Sequence, residues 1–217
     1  MIAVVIPAKD EAARIGETVA AAATLGRVVV VDDGSSDDTG AVARAAGATV
    51  VRHPRNRGKA AAMETGAAAV PEADLLLFLD ADLRATAAAA TPLVAAVERG
   101  EADCAIAVLP AVAGAGGRGF VVRLAREGIE RATGWSPRQP LSGQRCLTRA
   151  AFEAVRPLAP GFGVETAMTI DLLRAGFRVV EVETEIAHRV TGTGWRDQLH
   201  RAKQYAHVRR ALRRRRQ

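Results

Sequence analysis

The sequence predicts an α/β protein whose central sheet is mostly parallel and carries helices on both faces. Short apolar runs rich in β-branched residues alternate with segments of helical character along the first half of the chain. Uninterrupted apolar strands are typical of parallel sheets buried on both sides, and the alternation is typical of strand–helix–strand units. The length of 217 residues suits one such domain with a sizeable core.

Five strands are predicted in the first half of the chain, and helices separate them. The strands cover residues 2–6, 27–33, 48–53, 74–80 and 103–109. The helices cover residues 12–23, a segment after the turn at 34–38, a segment after the basic loop at 54–58, and a segment that ends near residue 98. We expect Pro7 to end the first strand, because proline cannot donate a hydrogen bond to a sheet.

The second half of the chain is less regular. The glycine-rich segment 113–119 is predicted to be a mobile loop, and residues 120–132 are predicted to be a helix. Residues 139–149 mix proline, glycine and polar side chains, which predicts a functional loop followed by a short strand. The other predictions are a turn and helix at 161–177, a strand at 178–189, a loop at 190–194 and a basic helix at 195–213.

The composition indicates an ordinary globular protein, because 49% of the residues are hydrophobic and 25% are charged. No apolar run approaches the ~20 residues that a membrane-spanning helix needs. The N-terminal sequence becomes charged too early for a secretory signal, so a cytoplasmic location is expected. Cys104 and Cys146 lack the spacing of metal or redox motifs and are expected to be free thiols.

The formal net charge of +6 comes from the end of the chain. The arginines concerned are Arg209, Arg210, Arg213, Arg214, Arg215 and Arg216, and without them the protein is formally neutral. Such a segment suits anionic lipid at the inner membrane face, nucleic acid, or a solvated and frayed chain end. Nucleic acid is the weakest alternative, because Trp195 and Tyr205 are the only aromatic residues there for base stacking.

Two carboxylates follow the fourth predicted strand. Asp80 and Asp82 are two residues apart, so on an extended chain both project to the same side and reach one ligand. Carboxylates this close repel each other unless a cation lies between them, and Mg²⁺ or Mn²⁺ suits such oxygen ligands. The pair predicts half of a metal–diphosphate site, and the alternative is that both residues only cap the following turn.

The ends of the first two strands are polar as well. Lys9, Asp10 and Glu11 follow the first strand, and Asp32 and Asp33 end the second. The carboxyl ends of parallel strands meet at one edge of the sheet, where open α/β sheets bind ligands. We expect at least one of Asp32 and Asp33 to accept hydrogen bonds from a ribose or a base, with a helix cap as the alternative.

The sequence NRGK at residues 56–59 opens the third helix. Gly58 lets the backbone approach a ligand closely, a helix N-terminus favours anions, and Lys59 adds a positive charge. These features predict a contact with phosphate, and the alternative is an ordinary surface helix start.

Four segments together resemble family 2-like glycosyltransferases of GT-A fold. They are VVIPAKDEAARI, VVVVDDGSSDDT, RNRGKAAAMETG and LFLDADL, all within residues 1–85. The later segments QPLSGQRCLTR, GFGVETAMTIDLL and IAHRVTG are similar to acceptor-side motifs of glucosyl-3-phosphoglycerate synthases. Polyprenyl-phosphate sugar synthases share the first half and a loop of the SG type. Compared with the phosphoglycerate enzymes, the chain is expected to lack a long N-terminal extension.

The resemblance implies a single GT-A domain over residues 1–217, with a nucleotide-sugar half at 1–110, an acceptor half at 111–194 and a basic C-terminal helix at 195–217. It implies metal-dependent transfer of a sugar, with glucose favoured, from a UDP-sugar to a small phosphorylated or hydroxyl acceptor. GDP-mannose is an alternative donor, and a polyprenyl phosphate at the membrane surface is an alternative acceptor. A nucleic-acid-binding protein is the alternative of another class, and a homodimer is left open.

The resemblance also assigns roles to residues. It implies a nucleotide-sugar pocket formed by Pro7, Ala8, Glu11, Asp33, Gly58, Lys59, Asp80, Ala81 and Asp82. It implies Mg²⁺ or Mn²⁺ on Asp82, Asp80 and His188, and an acceptor site formed by Ser142, Gly143, Gln144, Glu165 and Arg189. The implied catalytic residues are Asp82, Lys59 and Glu165, the last as a base or as a positioning group for the acceptor hydroxyl. The alternatives are a hydrogen-bonded structural histidine for His188 and surface charge for Arg189.

Overall fold

The computed structural model describes residues 1–110, 119–187 and 195–215 of the chain, without the side chains of 195–203. The described strands are β1 (Ile2–Ala8), β2 (Arg27–Asp32), β3 (Thr49–Arg52), β4 (Leu75–Phe78), β5 (Cys104–Val108), β6 (Arg145–Thr148) and β7 (Val179–Glu183). The described α-helices are α1 (Ala12–Ala22), α2 (Thr39–Ala45), α3 (Lys59–Ala68), α4 (Thr91–Glu98), α5 (Phe120–Thr133), α6 (Arg149–Ala154), α7 (Val164–Arg174) and α8 (Trp195–Arg213). The 3-10 helices Arg84–Ala90 and Gly161–Gly163 lead into α4 and α7.

All described strands lie in one sheet with the order β3-β2-β1-β4-β6-β5-β7. Strand β6 runs antiparallel to both of its neighbours, β4 and β5, and the other neighbours pair in parallel. The predicted α/β class with a mostly parallel sheet is confirmed, and the reversed strand is an addition to it. Within the described residues, no helix is both long and apolar enough to span a membrane.

The central strands are buried on both faces, which explains their uninterrupted apolar sequences. On β1, Val4 and Ile6 belong to one core cluster, whereas Ala3 and Val5 belong to another. Successive side chains of a strand point to opposite faces of the sheet. Each face of β1 therefore meets a separate apolar layer, and no alternation of apolar and polar residues is needed.

Helix α3 packs very closely on the sheet because of a glycine. A Cβ atom at Gly66 would lie 2.3 Å from Cγ1 of Val5 on β1 and 3.1 Å from Cγ2 of Val31 on β2. Interiors are packed too densely for a side chain at this contact. The close contact fixes α3 against β1 and β2, and its first residue, Lys59, thereby lies at the carboxyl edge of the sheet.

The first strand is longer than predicted, because β1 includes Pro7 and ends at Ala8. Pairing of β1 with β4 stops at Val5, whose carbonyl accepts the N–H of Leu79 (3.2 Å), while pairing with β2 continues to Ala8. The missing N–H of Pro7 therefore falls where β1 has a paired neighbour on one side only. A sheet tolerates proline at such a position, so the expectation that Pro7 ends the strand is wrong.

The reversed direction of β6 determines which loop reaches the edge. Because β6 runs against its neighbours, its N-terminal end lies beside the carboxyl ends of β4 and β5. Residues 142–144, which precede β6, are thereby brought next to the residues that follow β4. The sequence predicted the short strand at this place but not its direction.

The end of helix α8 is packed against the body of the protein. Val208, Ala211 and Leu212 are buried, and Val208 and Leu212 share an apolar cluster with residues of α5 and α7. Arg215, just beyond the helix, donates from Nε to Oδ1 of Asp171 on α7 (2.6 Å). A frayed chain end is therefore wrong for residues 208–215.

Candidate functional site

The loops after β1 and β2 are tied together at the carboxyl edge of the sheet. The carboxylate of Asp10 accepts hydrogen bonds from the N–H (2.7 Å) and the hydroxyl (3.0 Å) of Ser36. The ammonium of Lys9 lies 2.7 Å from the same carboxylate. Hydrogen bonds from Lys9 and Ser36 lower the pKa of Asp10 to about 2. The expected convergence of the first two strand ends is thus present in the structure.

Asp33 connects the end of β2 to the loop that precedes α3. Its Oδ1 lies 2.7 Å from Nδ1 of His53 and accepts the N–H of Arg57 (2.8 Å), and its Oδ2 accepts the N–H of Gly58 (2.8 Å). Burial alone would raise the pKa of Asp33, but these hydrogen bonds outweigh burial and hold the pKa below its ordinary value. Asp33 therefore fixes the position of Gly58 and, with it, the start of α3.

His53 completes this arrangement, and sequence reasoning did not single it out. The imidazole is buried, and its Nε2 lies 3.0 Å from Oγ1 of Thr65 on α3. A single histidine just after a strand belongs to no sequence motif that would identify it as part of a site. Its contact with Asp33 depends on the parallel pairing of β2 with β3, which only the folded sheet shows.

Replacing Asp33 by asparagine is expected to lower the free energy of unfolding at pH 7 by about 1–3 kcal/mol, the cost of a buried unsatisfied donor. An asparagine amide that replaces Oδ2 would face the N–H of Gly58, so two donors would oppose each other. The folded-state pKa of Asp33 lies below its unfolded value, so its stabilisation is present above the unfolded pKa, near 3.8, and is lost as the pH falls through the folded pKa. The difference between wild type and variant, measured by urea denaturation, should therefore shrink in acid.

Asp38→Asn is the matched control for this prediction. Asp38 is exposed at the start of α2 and its side chain makes no capping hydrogen bond. A change at such a site is expected to stay within about 0.5 kcal/mol. Equal unfolding free energies of Asp33→Asn and Asp38→Asn at pH 7 would contradict the structural role of Asp33.

Lys59 links the turn after β4 to helix α7. Its Nζ donates to Oδ1 of Asp80, which follows β4 (2.8 Å), and lies 3.0 Å from Oε1 of Glu165 on α7. Burial alone would lower the pKa of Lys59, but the charges of Asp80 and Glu165 outweigh burial and raise the pKa above its ordinary value. Lys59 is therefore a stable cation between two carboxylates, and the structure brings together three of the predicted site residues.

The loop before β6 closes over this cluster. Gln144 donates from Nε2 to Oδ2 of Asp80 (3.0 Å), and Ser142, Gly143 and Gln144 are all buried. A Cβ atom at Gly143 would lie 2.5 Å from Nζ of Lys59 and 3.0 and 3.1 Å from the carboxylate oxygens of Asp80. The predicted acceptor loop thus contacts the predicted donor side directly, through a glycine that leaves room for the ion pair.

Helix α1 fixes the position of the turn that contains Asp82. The buried hydroxyl of Thr18 donates to the carbonyl of Ala81 (2.9 Å) and accepts the N–H of Arg84 (2.8 Å). Asp82, between these two residues, is half-buried, and within the described part of the chain its carboxylate has no hydrogen bond or ion pair. The alternative that Asp82 caps the following turn is therefore not what the structure shows.

The donor set at this turn fits a hard divalent cation. Asp80 and Asp82 offer carboxylate oxygens on one turn, and the ammonium of Lys59 shows that Asp80 accepts a cation. Among residues 1–110, 119–187 and 204–215, no group of three His, Cys, Asp or Glu side chains is arranged to hold a metal. The predicted third ligand, His188, lies outside the described residues. Ala187, which precedes it, accepts a hydrogen bond from Thr86 (3.2 Å), four residues after Asp82.

The other residues predicted for the nucleotide-sugar lie at the same edge. Pro7 and Ala8 are the last residues of β1, and Ala8 is buried. Glu11 is half-buried and pairs with Arg14 (2.8 Å). Ala81 has a buried side chain. A contact of these residues with a nucleotide stays a prediction.

A cleft of about 1050 Å³ extends from Asp80 and the loop 142–144 along α5. Arg123 and Arg126 of α5 and Arg138 line it. Arg126 donates to the carbonyls of Pro137 (2.8 Å) and Arg138 (2.9 Å), whereas Arg123 and Arg138 are exposed. Sequence reasoning missed these arginines, whose only signal was their place on a basic, amphipathic helix and loop. Arg189 and most of the predicted mobile loop, residues 113–118, lie outside the described residues.

The sequence is similar to known glycosyltransferases. The family described as Glycosyl transferase family 2 matches residues 3–155. Glycosyltransferase AglJ of Haloferax volcanii is 30% identical over 205 residues, which cover 88% of this chain and 65% of AglJ. Glucosyl-3-phosphoglycerate synthase of Mycolicibacterium paratuberculosis is 32% identical over 198 residues, which cover 78% of this chain and 59% of the synthase. The chain thus spans less than two thirds of the length of either relative.

The fold is similar to that of solved synthase structures. Glucosyl-3-phosphoglycerate synthase from Mycobacterium tuberculosis, in complex with Mn²⁺, uridine diphosphate and phosphoglyceric acid, matches with a TM-score of 0.81 and 30% identity. This match covers 98% of the present chain and 77% of the synthase. The family match covers most of the chain and the fold agrees, so the protein belongs to glycosyl transferase family 2 and has the GT-A fold that its motifs predicted.

Proposed function

We propose that the protein is a metal-dependent glycosyltransferase that moves a sugar from a UDP-sugar to a small phosphorylated acceptor. The observation that carries the proposal is that the ammonium of Lys59 contacts both Asp80 (2.8 Å), a proposed donor-binding residue, and Glu165 (3.0 Å), a proposed acceptor-binding residue. In this proposal, the donor and the acceptor react beside the ammonium of Lys59 and the carboxylates of Asp80 and Glu165. The family match and the relatives named as glycosyltransferases support this activity.

The donor is proposed to bind along the loops after β1, β2 and β4. The pocket comprises Pro7, Ala8, Glu11, Asp33, Gly58, Lys59, Asp80, Ala81 and Asp82. Lys59 begins helix α3, and a helix N-terminus together with an ammonium favours a diphosphate. The synthase structures that contain uridine diphosphate support a uridine donor, and the name of that enzyme makes glucose the proposed sugar.

Asp82 and Asp80 are proposed to hold Mg²⁺ or Mn²⁺ together with His188. Support comes from the carboxylate of Asp82, which no described residue engages, and from the synthase structures that contain Mn²⁺ or Mg²⁺. Such an ion neutralises the charge that develops on a leaving diphosphate.

In the transfer, the bond between the sugar C1 and the diphosphate oxygen breaks, and a bond forms between C1 and an acceptor oxygen. Glu165 is proposed to orient the acceptor hydroxyl or to take its proton, since its carboxylate lies 3.0 Å from the ammonium of Lys59, which also contacts Asp80. Lys59 keeps its proton because of its raised pKa, so its charge stabilises the negative charge of the leaving group.

The acceptor is proposed to lie in the cleft along α5, with Ser142, Gly143, Gln144 and Arg189 among its contacts. Three arginines, Arg123, Arg126 and Arg138, line this cleft, and guanidinium groups bind phosphate in a fork geometry. A phosphorylated acceptor therefore fits better than a neutral one. The phosphoglyceric acid in the synthase complex supports an acceptor of this class.

The proposal predicts that UDP release depends on a metal ion. With UDP-glucose, Mn²⁺ and a panel of small phosphorylated acceptors, the purified protein should release UDP, and excess EDTA should lower the rate by about 10³-fold or more, the scale of losing one strong electrostatic group. Added Mn²⁺ should restore the rate. Other nucleotide-sugars, GDP-mannose included, serve as controls for the base and the sugar. Undiminished release in EDTA, or no metal-dependent thermal shift with any nucleotide-sugar, would refute the proposal.

A lipid-phosphate acceptor at a membrane surface is the second candidate, and helix α8 favours it. Arg209, Arg210, Arg213 and Arg214 are exposed, and within the described residues they form no ion pair. Because α8 is packed on the body through Val208 and Leu212, it presents these charges on a fixed surface. Anionic lipid headgroups suit such a polybasic surface.

Vesicle co-sedimentation tests this second candidate. Wild-type protein should bind vesicles of phosphatidylglycerol but not of phosphatidylcholine, and binding should fall at high salt because exposed charges are screened. The variant with Arg209, Arg210, Arg213 and Arg214 changed to glutamine should lose this binding while it keeps its thermal shift with UDP and Mn²⁺. Equal binding by the variant, or a preference of the wild type for duplex DNA over the vesicles, would rule the candidate out.

A further inference from the structure

A fully buried arginine lies behind the Lys59 cluster. Arg145, the first residue of β6, is 1% exposed, and within the described residues it forms no ion pair. Its Nη2 atom has no hydrogen-bond partner in that part of the chain. Burial lowers the pKa of Arg145 below its ordinary value. A buried guanidinium with incomplete hydrogen bonding lowers the stability of a protein. Stability therefore does not explain why an arginine is at this position.

The contacts of Arg145 join the two acceptor-side elements. Its Nε donates to the carbonyl of Ser142 (2.9 Å), and its Nη1 donates to Oγ1 of Thr169 (2.9 Å). The hydroxyl of Thr169 in turn donates to the carbonyl of Glu165 (2.9 Å). A chain of buried hydrogen bonds therefore runs from the loop before β6 to the first turn of α7, where Glu165 is located.

Unsatisfied polar atoms gather at the same junction. Among the described residues, the buried side-chain atoms without a partner include Oγ of Ser142, Oε1 of Gln144, Nη2 of Arg145 and Oγ1 of Thr166. These four atoms belong either to the loop and start of β6 or to the first turn of α7. Native proteins leave few buried polar atoms unpaired. Four buried polar atoms that no described residue pairs thus lie together beside the hydrogen bonds of Arg145.

We propose that Arg145 is a positioning residue that holds Glu165 at a fixed place relative to the loop 142–144. This inference rests on the proposed sugar transfer, in which that loop and Glu165 bind the acceptor. Through Thr169, Arg145 fixes the backbone of the first turn of α7, which contains Glu165. Through the carbonyl of Ser142, it fixes the loop 142–144. The donor pocket, built from the loops after β1, β2 and β4, lies outside this chain of hydrogen bonds.

The test compares Thr169→Val with Thr169→Ser. Valine keeps the shape of threonine but removes the hydroxyl that links Arg145 to Glu165, whereas serine keeps it. We expect Thr169→Val to lower kcat for transfer at least tenfold and to raise KM for the acceptor, with unchanged binding of UDP and Mn²⁺. Thr169→Ser should retain wild-type kcat.

Two further measurements separate positioning from loss of stability. Val97→Ala, in helix α4, removes buried apolar volume away from the edge and should lower stability without changing kcat. Hydrogen exchange of the amides in the first turn of α7 should accelerate in Thr169→Val but not in Val97→Ala. Because this measurement needs no turnover, it tests the positioning role even if no donor is consumed. Wild-type kcat in Thr169→Val with unchanged exchange overturns the inference, whereas an inactive wild type overturns only the proposed function.

Discussion

Asp82→Asn is expected to lower kcat/KM for sugar transfer by about three orders of magnitude, which corresponds to ~4 kcal/mol of transition-state stabilisation. Asparagine removes the negative charge of the one acid at the β4 turn that no described residue engages. The folded protein should not suffer, because the change also removes a like charge two residues from Asp80. UDP release at saturating Mn²⁺ measures the loss, and calorimetry should show that Mn²⁺ no longer tightens UDP binding.

Glu101→Gln is the control for Asp82→Asn. Glu101 is an exposed acid after α4 that pairs with Arg99 (2.6 Å), at the opposite end of β5 from the edge that is proposed to bind the donor. The glutamine at position 101 should leave both UDP release and Mn²⁺-dependent UDP binding unchanged. An Asp82→Asn variant with wild-type dependence on Mn²⁺ would show that the metal role of the β4 turn is wrong.

Gly143→Ala is expected to lower kcat/KM by about two orders of magnitude, or ~2.7 kcal/mol. The added methyl group would lie 2.5 Å from Nζ of Lys59, so the ammonium has to leave its place between Asp80 and Glu165. The protein should still fold, because the displaced atom is the end of a flexible side chain. Circular dichroism and UDP release together measure this separation of activity from folding.

A control variant and a double-mutant cycle test how Gly143→Ala lowers activity. Gly16→Ala, in the middle of α1, places a methyl group 3.2 Å from Cγ1 of Val42 and should leave activity unchanged. In a Lys59→Ala background, Gly143→Ala should cost little more, since the group that it displaces is gone. Additive losses in this double-mutant cycle would mean that Gly143 acts independently of Lys59.

The donor side of the site was largely predictable from the sequence. Asp33, Gly58, Lys59, Asp80 and Asp82 follow strands or begin a helix, and parallel pairing brings such positions to one edge. Each therefore needed only local structure and one topological rule. Their arrangement at one edge is what the structure shows, while their contacts with nucleotide and metal stay predictions.

The acceptor side was predictable only through resemblance to known enzymes. Gly143 reaches Lys59 because β6 is reversed, and no local signal gives the direction of a four-residue strand. Arg145 looks in sequence like one more arginine of a basic chain, and neither its burial nor its contact with Thr169 of α7 has a local signal. His53 likewise meets Asp33 only through the pairing of β2 with β3. These contacts join residues far apart in sequence, so tertiary structure alone reveals them.

The position of β6 between β4 and β5 also bears on how the chain assembles. A fragment that stops near residue 110 would contain β4 and β5 without the strand that separates them, and so would have to bridge a gap of about two strand spacings, ~10 Å. Early in synthesis, β5 has no partner to pair with, because both of its neighbours, β6 and β7, come later in the chain. The two parts of the sheet, β3-β2-β1-β4 and β5-β7, can therefore be joined only after residues 145–148 have emerged.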